Sequence, residues 1–202
     1  MMPGVLTILA AYLIGGIPFG YVLVRWRTGK DVRTMGSGNI GATNVLRTTG
    51  RVVAIVTLLL DILKGWFAVW LAAWLTNADI VWMSAAAVAV MLGHAFPVFL
   101  KFQGGKAVAS FIGAFLYLAP APLLACLIVF VIVVAATRYI SLGSILAAGL
   151  FPLGVYLILH PPAALLLAAL FSGAFIVYRH RGNIERLRAG TEHVFSFGGS
   201  RA

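Results

Sequence analysis

The chain is 202 residues long and 62% hydrophobic, with a mean hydropathy of +1.03, only 10% charged residues and a net charge of +10 at pH 7. These values lie outside the range of soluble domains, so a soluble enzyme and a nucleic-acid-binding module are excluded, and the excess positive charge has to be explained at a membrane. A single cysteine, Cys126, inside an apolar run leaves no disulfide framework and no thiolate metal site.

A helix needs about 20 apolar residues to cross the hydrocarbon core, at about 1.5 Å per residue. By that measure the sequence predicts seven spans. The first runs from Val5 to Val24, and its second half holds Gly15, Gly16, Pro18 and Gly20, which predict a kink or a close helix contact. Met1-Met2-Pro3-Gly4 has no basic n-region and no small-residue cleavage site, so this span is expected to be retained. A polar segment from Arg25 to Arg51 follows, then spans at Val52 to Leu75, Ile80 to Leu100 and, shorter, Ala107 to Leu118. A fifth runs from after Pro120 and Pro122 to Thr137, a sixth from Leu142 to Leu159 and a seventh from Ala163 to Tyr178. With no repeat and no long linker, residues 1–202 are expected to form one all-α membrane domain, a seven-helix bundle.

The positive-inside rule tests that count. Arg25, Arg27, Lys30, Arg33, Arg47 and Arg51 follow span one; Lys101 and Lys106 follow span three; Arg138 follows span five; Arg179, Arg181, Arg186, Arg188 and Arg201 follow span seven. The alternate connections, Thr76 to Asp79, Ala119 to Ala121 and His160 to Pro162, contain no lysine or arginine. Only Lys64 lies inside a span. The N-terminus is therefore expected outside and the C-terminus in the cytoplasm.

Chemistry concentrates on the basic face. Gly36-Ser37-Gly38-Asn39-Ile40-Gly41-Ala42-Thr43-Asn44-Val45-Leu46-Arg47 combines turn-forming glycines with the donors Ser37, Asn39, Thr43, Asn44 and Arg47, the composition of an anion cradle. It also matches a dinucleotide fingerprint, but the strand and βαβ unit which that motif requires are missing. Gly104-Gly105-Lys106 lacks the outer residues of a nucleotide P-loop yet suits a phosphate, being a glycine turn that opens a helix. Asp61 and Lys64, three apart within a span, are expected to pair as a structural ion pair. His94 reads as a hydrogen-bonded helix residue, Ser141 as a cap for span six, and Ser144 lies one turn further in. In the tail, His180, Asn183 and Glu192 add donors and acceptors that a basic anchor does not need. No Ser-His-Asp triad and no metal-ligand cluster can be assembled from the pattern, so catalysis has to rest on positioning and electrostatics acting on activated, anionic substrates.

Ser37-Gly38-Asn39-Ile40-Gly41-Ala42-Thr43-Asn44-Val45-x-Arg47, Asp61-x-x-Lys64-Gly65, Gly93-His94-x-Phe96-Pro97 with Gly104-Gly105-Lys106, Ser141-Leu142-x-Ser144, and His180-Arg181-x-Asn183-Ile184-x-Arg186-Leu187 with Gly190-Thr191-Glu192 together resemble the bacterial acyl-phosphate:glycerol-3-phosphate acyltransferases, the PlsY family. The family pattern continues Gly-Gly-Lys-Gly, where this chain has Ala107.

The resemblance implies a multi-pass enzyme of the bacterial inner membrane with its active site facing the cytoplasm. It would transfer a fatty acyl group from acyl phosphate to the sn-1 hydroxyl of glycerol 3-phosphate, giving lysophosphatidic acid and phosphate, the first acylation of phospholipid biosynthesis. It implies no cofactor and no metal. Its partners would be the two substrates and membrane lipid, with a functional link to the enzyme that makes acyl phosphate, no nucleic acid, and a monomeric state.

Under this resemblance Lys106, Arg47, Ser37, His180 and Asn183 are the expected catalytic residues. Asn39, Gly41, Thr43, Asn44, Gly104, Gly105, Ser144, Arg186 and Glu192 are expected to bind substrate, with Asp61, Lys64 and His94 in support. Acyl-CoA-dependent enzymes of the His-x4-Asp type fit poorly, since the nearest match is His180 with Glu185. A transporter would need polar residues continuing to the outer face, where the spans are apolar.

Overall fold

In a computed structural model, residues 2–195 are described, and among them all regular structure is helical. The helices are α1 (Met2–Gly16), α2 (Phe19–Thr28), α3 (Ala42–Thr49), α4 (Arg51–Leu75), α5 (Ile80–Ala95), α6 (Val108–Leu118), α7 (Pro120–Thr137), α8 (Ile140–Leu159), α9 (Ala163–Arg179) and α10 (Arg181–Arg188). The chain forms two compact units that divide after Tyr117.

In the first unit α1, α4 and α5 pack on one another, and α2 and α3 pack against α4. The first expected span is two helices, α1 and α2, broken at Ile17 and Pro18, because proline cannot donate to the helical ladder. Small residues set the close crossings. A side chain on Gly93 would strike the Tyr12 carbonyl, and one on Gly113 the Ile62 carbonyl, so α5 lies backbone to backbone against α1, as α6 does against α4. In the second unit α8 packs between α7 and α9, and Gly173 of α9 approaches the Ala148 carbonyl of α8.

Among the described residues five helical stretches are long and apolar enough to cross a membrane: Met2–Thr28, Arg51–Leu75, Ile80–Leu100, Pro120–Thr137 and Ile140–Leu159. Ala163–Arg179 makes a sixth if it is counted with α10, to which it is bent by 53°. Of the seven expected spans five to six are thus long enough to cross, and the fourth, α6, is only 11 residues long. At about 1.5 Å per residue it reaches about 16 Å, roughly half the hydrocarbon thickness. Branched apolar side chains stay exposed at helical spacing, among them Leu6, Leu9 and Leu13 of α1 and Ile128, Val131 and Ile132 of α7, the surface that lipid tails cover.

The polar segment contains more structure than its composition suggests. Val32, Ile40 and Val45 are buried with Val24, Ala54 and Leu100, so an apolar knot pins the loop against α2 and α4. Helix α3 grows from this knot.

Candidate active site

The glycine-rich loop is held by Asn44. This residue is buried, and its amide nitrogen donates to the carbonyls of Asn39 at 2.8 Å, Met35 at 3.0 Å and Val32 at 3.3 Å. Its oxygen accepts from the Ser37 N–H at 2.9 Å. Expected among the substrate donors, Asn44 is instead committed to the loop's own backbone. Gly36 and Gly38 adopt the left-handed conformation that the turn requires, with φ of 55° and 70°. The Gly41 N–H likewise goes to Asn39 Oδ1 at 2.8 Å, a side-chain turn that places Gly41 at the start of α3. Ser37 and Arg47 are exposed, and Asn39 and Thr43 are half-buried.

Gly104 and Gly105 follow the same logic. Their N–H groups donate to the carbonyls of Ala95 at 3.2 Å and His94 at 3.1 Å, capping the last carbonyls of α5. Expected to lie beside the acyl phosphate, they spend these amides on the fold. They place Lys106, half-buried, just ahead of α6, where the positive end of the helix dipole favours an anion. Ala107 has φ of 63° and is fully buried, so this chain holds alanine in a backbone state that glycine adopts more readily.

Beneath this turn lies a buried charge cluster. Lys64 Nζ is 2.7 Å from Asp61 Oδ1 and donates at 2.8 Å to the Ile17 carbonyl, so the expected pair also clamps the α1–α2 break. His94 Nδ1 is 3.6 Å from Asp61 Oδ1 and 3.3 Å from Ser110 Oγ. A serine, a histidine and an aspartate therefore meet, but not as a catalytic triad. Serine and aspartate address the same ring nitrogen, whereas a triad needs one on each, and Ser110 is fully buried. Ser110 and the Ile17 carbonyl carried no sequence signal, being an ordinary span residue and a backbone atom.

In the second unit Glu192 is the hub. Its Oε1 accepts from Asn183 Nδ2 at 2.8 Å and from Ser141 Oγ at 3.0 Å, while Oε2 accepts from Arg186 Nε at 2.8 Å. Burial pushes the Glu192 carboxyl up, but the donors from Asn183, Ser141 and Arg186 outweigh it and hold the group below the usual carboxylate range. Ser141, expected to cap span six, instead ties that helix to the tail. Ser144, expected to bind substrate, donates back to the Ile140 carbonyl at 3.0 Å. His180 is buried at the α9–α10 bend, its Nδ1 2.8 Å from the Ile176 carbonyl. Arg186 is half-buried beside Glu192.

Apolar helices of spanning length, with the scarce cations and donors gathered on the polar segments that join them, define an integral membrane protein. Residues 5–190 match the glycerol-3-phosphate acyltransferase family. The chain is 49% identical to a glycerol-3-phosphate acyltransferase of Trichlorobacter lovleyi, over 96% of this chain and 99% of that one, and 46% identical to one of Geotalea daltonii with the same coverage. It superposes with a TM-score of 0.90 and 37% identity on the crystal structure of PlsY, an integral membrane glycerol 3-phosphate acyltransferase, in its glycerol 3-phosphate form, covering 96% of each chain. The lysophosphatidic acid form of PlsY gives 0.87 at 35% identity, covering 96% of this chain and 95% of the other. The chain belongs to the glycerol-3-phosphate acyltransferase family and is an acyltransferase of the PlsY type.

Proposed function

We propose that the chain transfers a fatty acyl group from acyl phosphate to the sn-1 hydroxyl of glycerol 3-phosphate, releasing lysophosphatidic acid and inorganic phosphate. The hydroxyl oxygen bonds to the acyl carbonyl carbon, the bond from that carbon to the bridging phosphate oxygen breaks, and the hydroxyl proton ends on the departing phosphate. The observation that carries this reading is the placement of cations and donors on fixed backbone: Ser37 and Lys106 sit on turns and Thr43 and Arg47 on the short helix α3, where positioned groups stabilise a departing phosphate. A mixed anhydride has a good leaving group, so no enzyme nucleophile is required.

In this reading Ser37, Asn39, Thr43, Arg47 and Lys106 are the phosphate ligands of the first unit, and His180 and Asn183 are those of the second. Asn44, Gly41, Gly104 and Gly105 shape the turns, Arg186 and Glu192 support Asn183, and Ser144, Asp61, Lys64 and His94 support the helices. The chain acts as one membrane-embedded domain and as a monomer, supplied by the enzyme that makes acyl phosphate, in the inner membrane of a bacterium and on its cytoplasmic side. Seven crossings with the N-terminus outside suit the charges best. If α6 did not cross, Arg138 and the arginines from Arg179 onward would fall on the face opposite Lys101 and Lys106.

The test is product analysis with purified protein. Lys106→Ala and Arg47→Ala, folded and membrane-inserted, are expected to lose acyl transfer by about 100-fold or more, the scale of removing one transition-state donor. Full activity in either would overturn the assignment.

A further inference from the structure

His94 lies in the last turn of α5, 4% exposed, and the phosphate reading gives it no direct task. Its surroundings do. The Nδ1 edge is hydrogen-bonded to Ser110 Oγ at 3.3 Å with Asp61 Oδ1 nearby at 3.6 Å, and Asp61 is itself paired with Lys64. The opposite edge faces the glycine turn: a side chain added to Gly105 would run into His94 Nε2. The His94 carbonyl also accepts the Gly105 N–H at 3.1 Å. On the other side of Lys106, Ala107 is buried with φ of 63°. The backbone flanking Lys106 is therefore constrained on both sides, and one of the two constraints is the imidazole.

We propose that His94 is a positioning residue for acyl transfer: held at Nδ1 by Ser110 beside the Asp61 carboxylate, its ring is the wall against which Gly105 rests, and so it fixes where Lys106 stands. The inference rests on the reading that Lys106 acts on a substrate phosphate. Asp61 and Lys64 then do more than join helices, because the ion pair sets the ring that sets the turn.

The experiment compares purified full-length chain in lipid nanodiscs as parent, Gly105→Ala, His94→Asn and the double variant, with Ser110→Ala alongside. Asparagine keeps a polar atom near the place of Nδ1 and removes the ring edge that faces Gly105. Initial rates with acyl phosphate and glycerol 3-phosphate give kcat and KM, and each protein's unfolding midpoint is measured. Gly105→Ala should lose about 100-fold in kcat/KM, the scale of a misplaced catalytic group, and His94→Asn about 10-fold. The double variant should run at least about 10-fold faster than Gly105→Ala, because the space the new methyl needs has been opened.

A double variant no faster than Gly105→Ala, with all midpoints near that of the parent, overturns the proposal. If Gly105→Ala folds only when combined with His94→Asn, that rescue supports it. If neither folds, Ser110→Ala decides: a severalfold fall in kcat/KM at an unchanged midpoint supports the proposal, and parental kinetics overturn it. A parent that makes no product from acyl phosphate overturns the functional reading and this inference together, whereas an active parent with no rescue overturns the positioning role alone.

Discussion

Replacing Glu192 with glutamine isolates the charge that orders the tail. The carboxylate accepts from three donors, and its side chain is only 3% exposed. Glutamine can keep its oxygen toward Ser141 and Asn183, but its NH2 then faces Arg186 Nε, donor against donor. One charge-assisted bond is lost, nominally about 1.5–3 kcal/mol. Arg186 is half-exposed and can turn to water, so the expected cost falls to about 1–2 kcal/mol. Alanine removes every acceptor and leaves the Asn183 amide and Ser141 hydroxyl buried without it, at about 1–3 kcal/mol each, so Glu192→Ala should cost about 3–5 kcal/mol.

Thermal unfolding in detergent at pH 7, followed by circular dichroism, ranks the three proteins. The pH dependence adds a sign. Because the folded carboxyl titrates below its ordinary value of 4.5, the parent's advantage over Glu192→Gln should be complete at neutral pH and shrink as the pH falls through the folded value. Equal midpoints for Gln and Ala, or an advantage that grows on acidification, would contradict a tail ordered by the Glu192 charge.

Asn44→Ala should cost about 3 kcal/mol or more, since the loop carbonyls of Val32, Met35 and Asn39 lose their shared donor; limited proteolysis between Lys30 and Arg47 should accelerate accordingly. Asp61→Asn leaves Lys64 buried beside a neutral partner and should cost about 3–5 kcal/mol, while a Lys64→Met change added to it should recover part of that, read as unfolding midpoints. Ala107→Gly should be close to neutral in stability: it relieves about 1–2 kcal/mol of left-handed strain but gives up a buried methyl worth about 0.8 kcal/mol and raises unfolded-state entropy. Ala107→Val should be destabilised by more than about 2 kcal/mol, because a branched residue tolerates that backbone state less and overfills a closed space.

Hydropathy alone located the helices closely. The second span, expected from Val52 to Leu75, is α4 at Arg51–Leu75, and the seventh, expected from Ala163, begins there. Uninterrupted apolar runs bounded by charges or prolines leave little latitude. Helix α3 was hidden because its eight residues follow a glycine run and draw their stability from Val32, Ile40 and Val45 meeting Val24, a tertiary contact that no local pattern announces. The Asp61–Lys64 pair was legible from its helical spacing, but the participation of Ile17, His94 and Ser110 was not, since they come from other segments. The sequence shows the residue types of the polar turns but not the direction of their hydrogen bonds. Asn44, Gly41, Gly104 and Gly105 turn their hydrogen-bonding groups inward to build the turns, because buried backbone groups in a lipid-embedded protein have to be satisfied by protein. Glu192 and Ser141, 51 residues apart, show the same limit.

In the proposed reaction the acyl donor is acyl phosphate, and Lys106 and Arg47 act on its departing phosphate. Purified protein in nanodiscs, given labelled glycerol 3-phosphate with palmitoyl phosphate or, separately, palmitoyl-CoA, tests it directly. Lysophosphatidic acid and an equal amount of inorganic phosphate are expected with palmitoyl phosphate alone. Product formed at a comparable rate from palmitoyl-CoA, or none from palmitoyl phosphate, would contradict it.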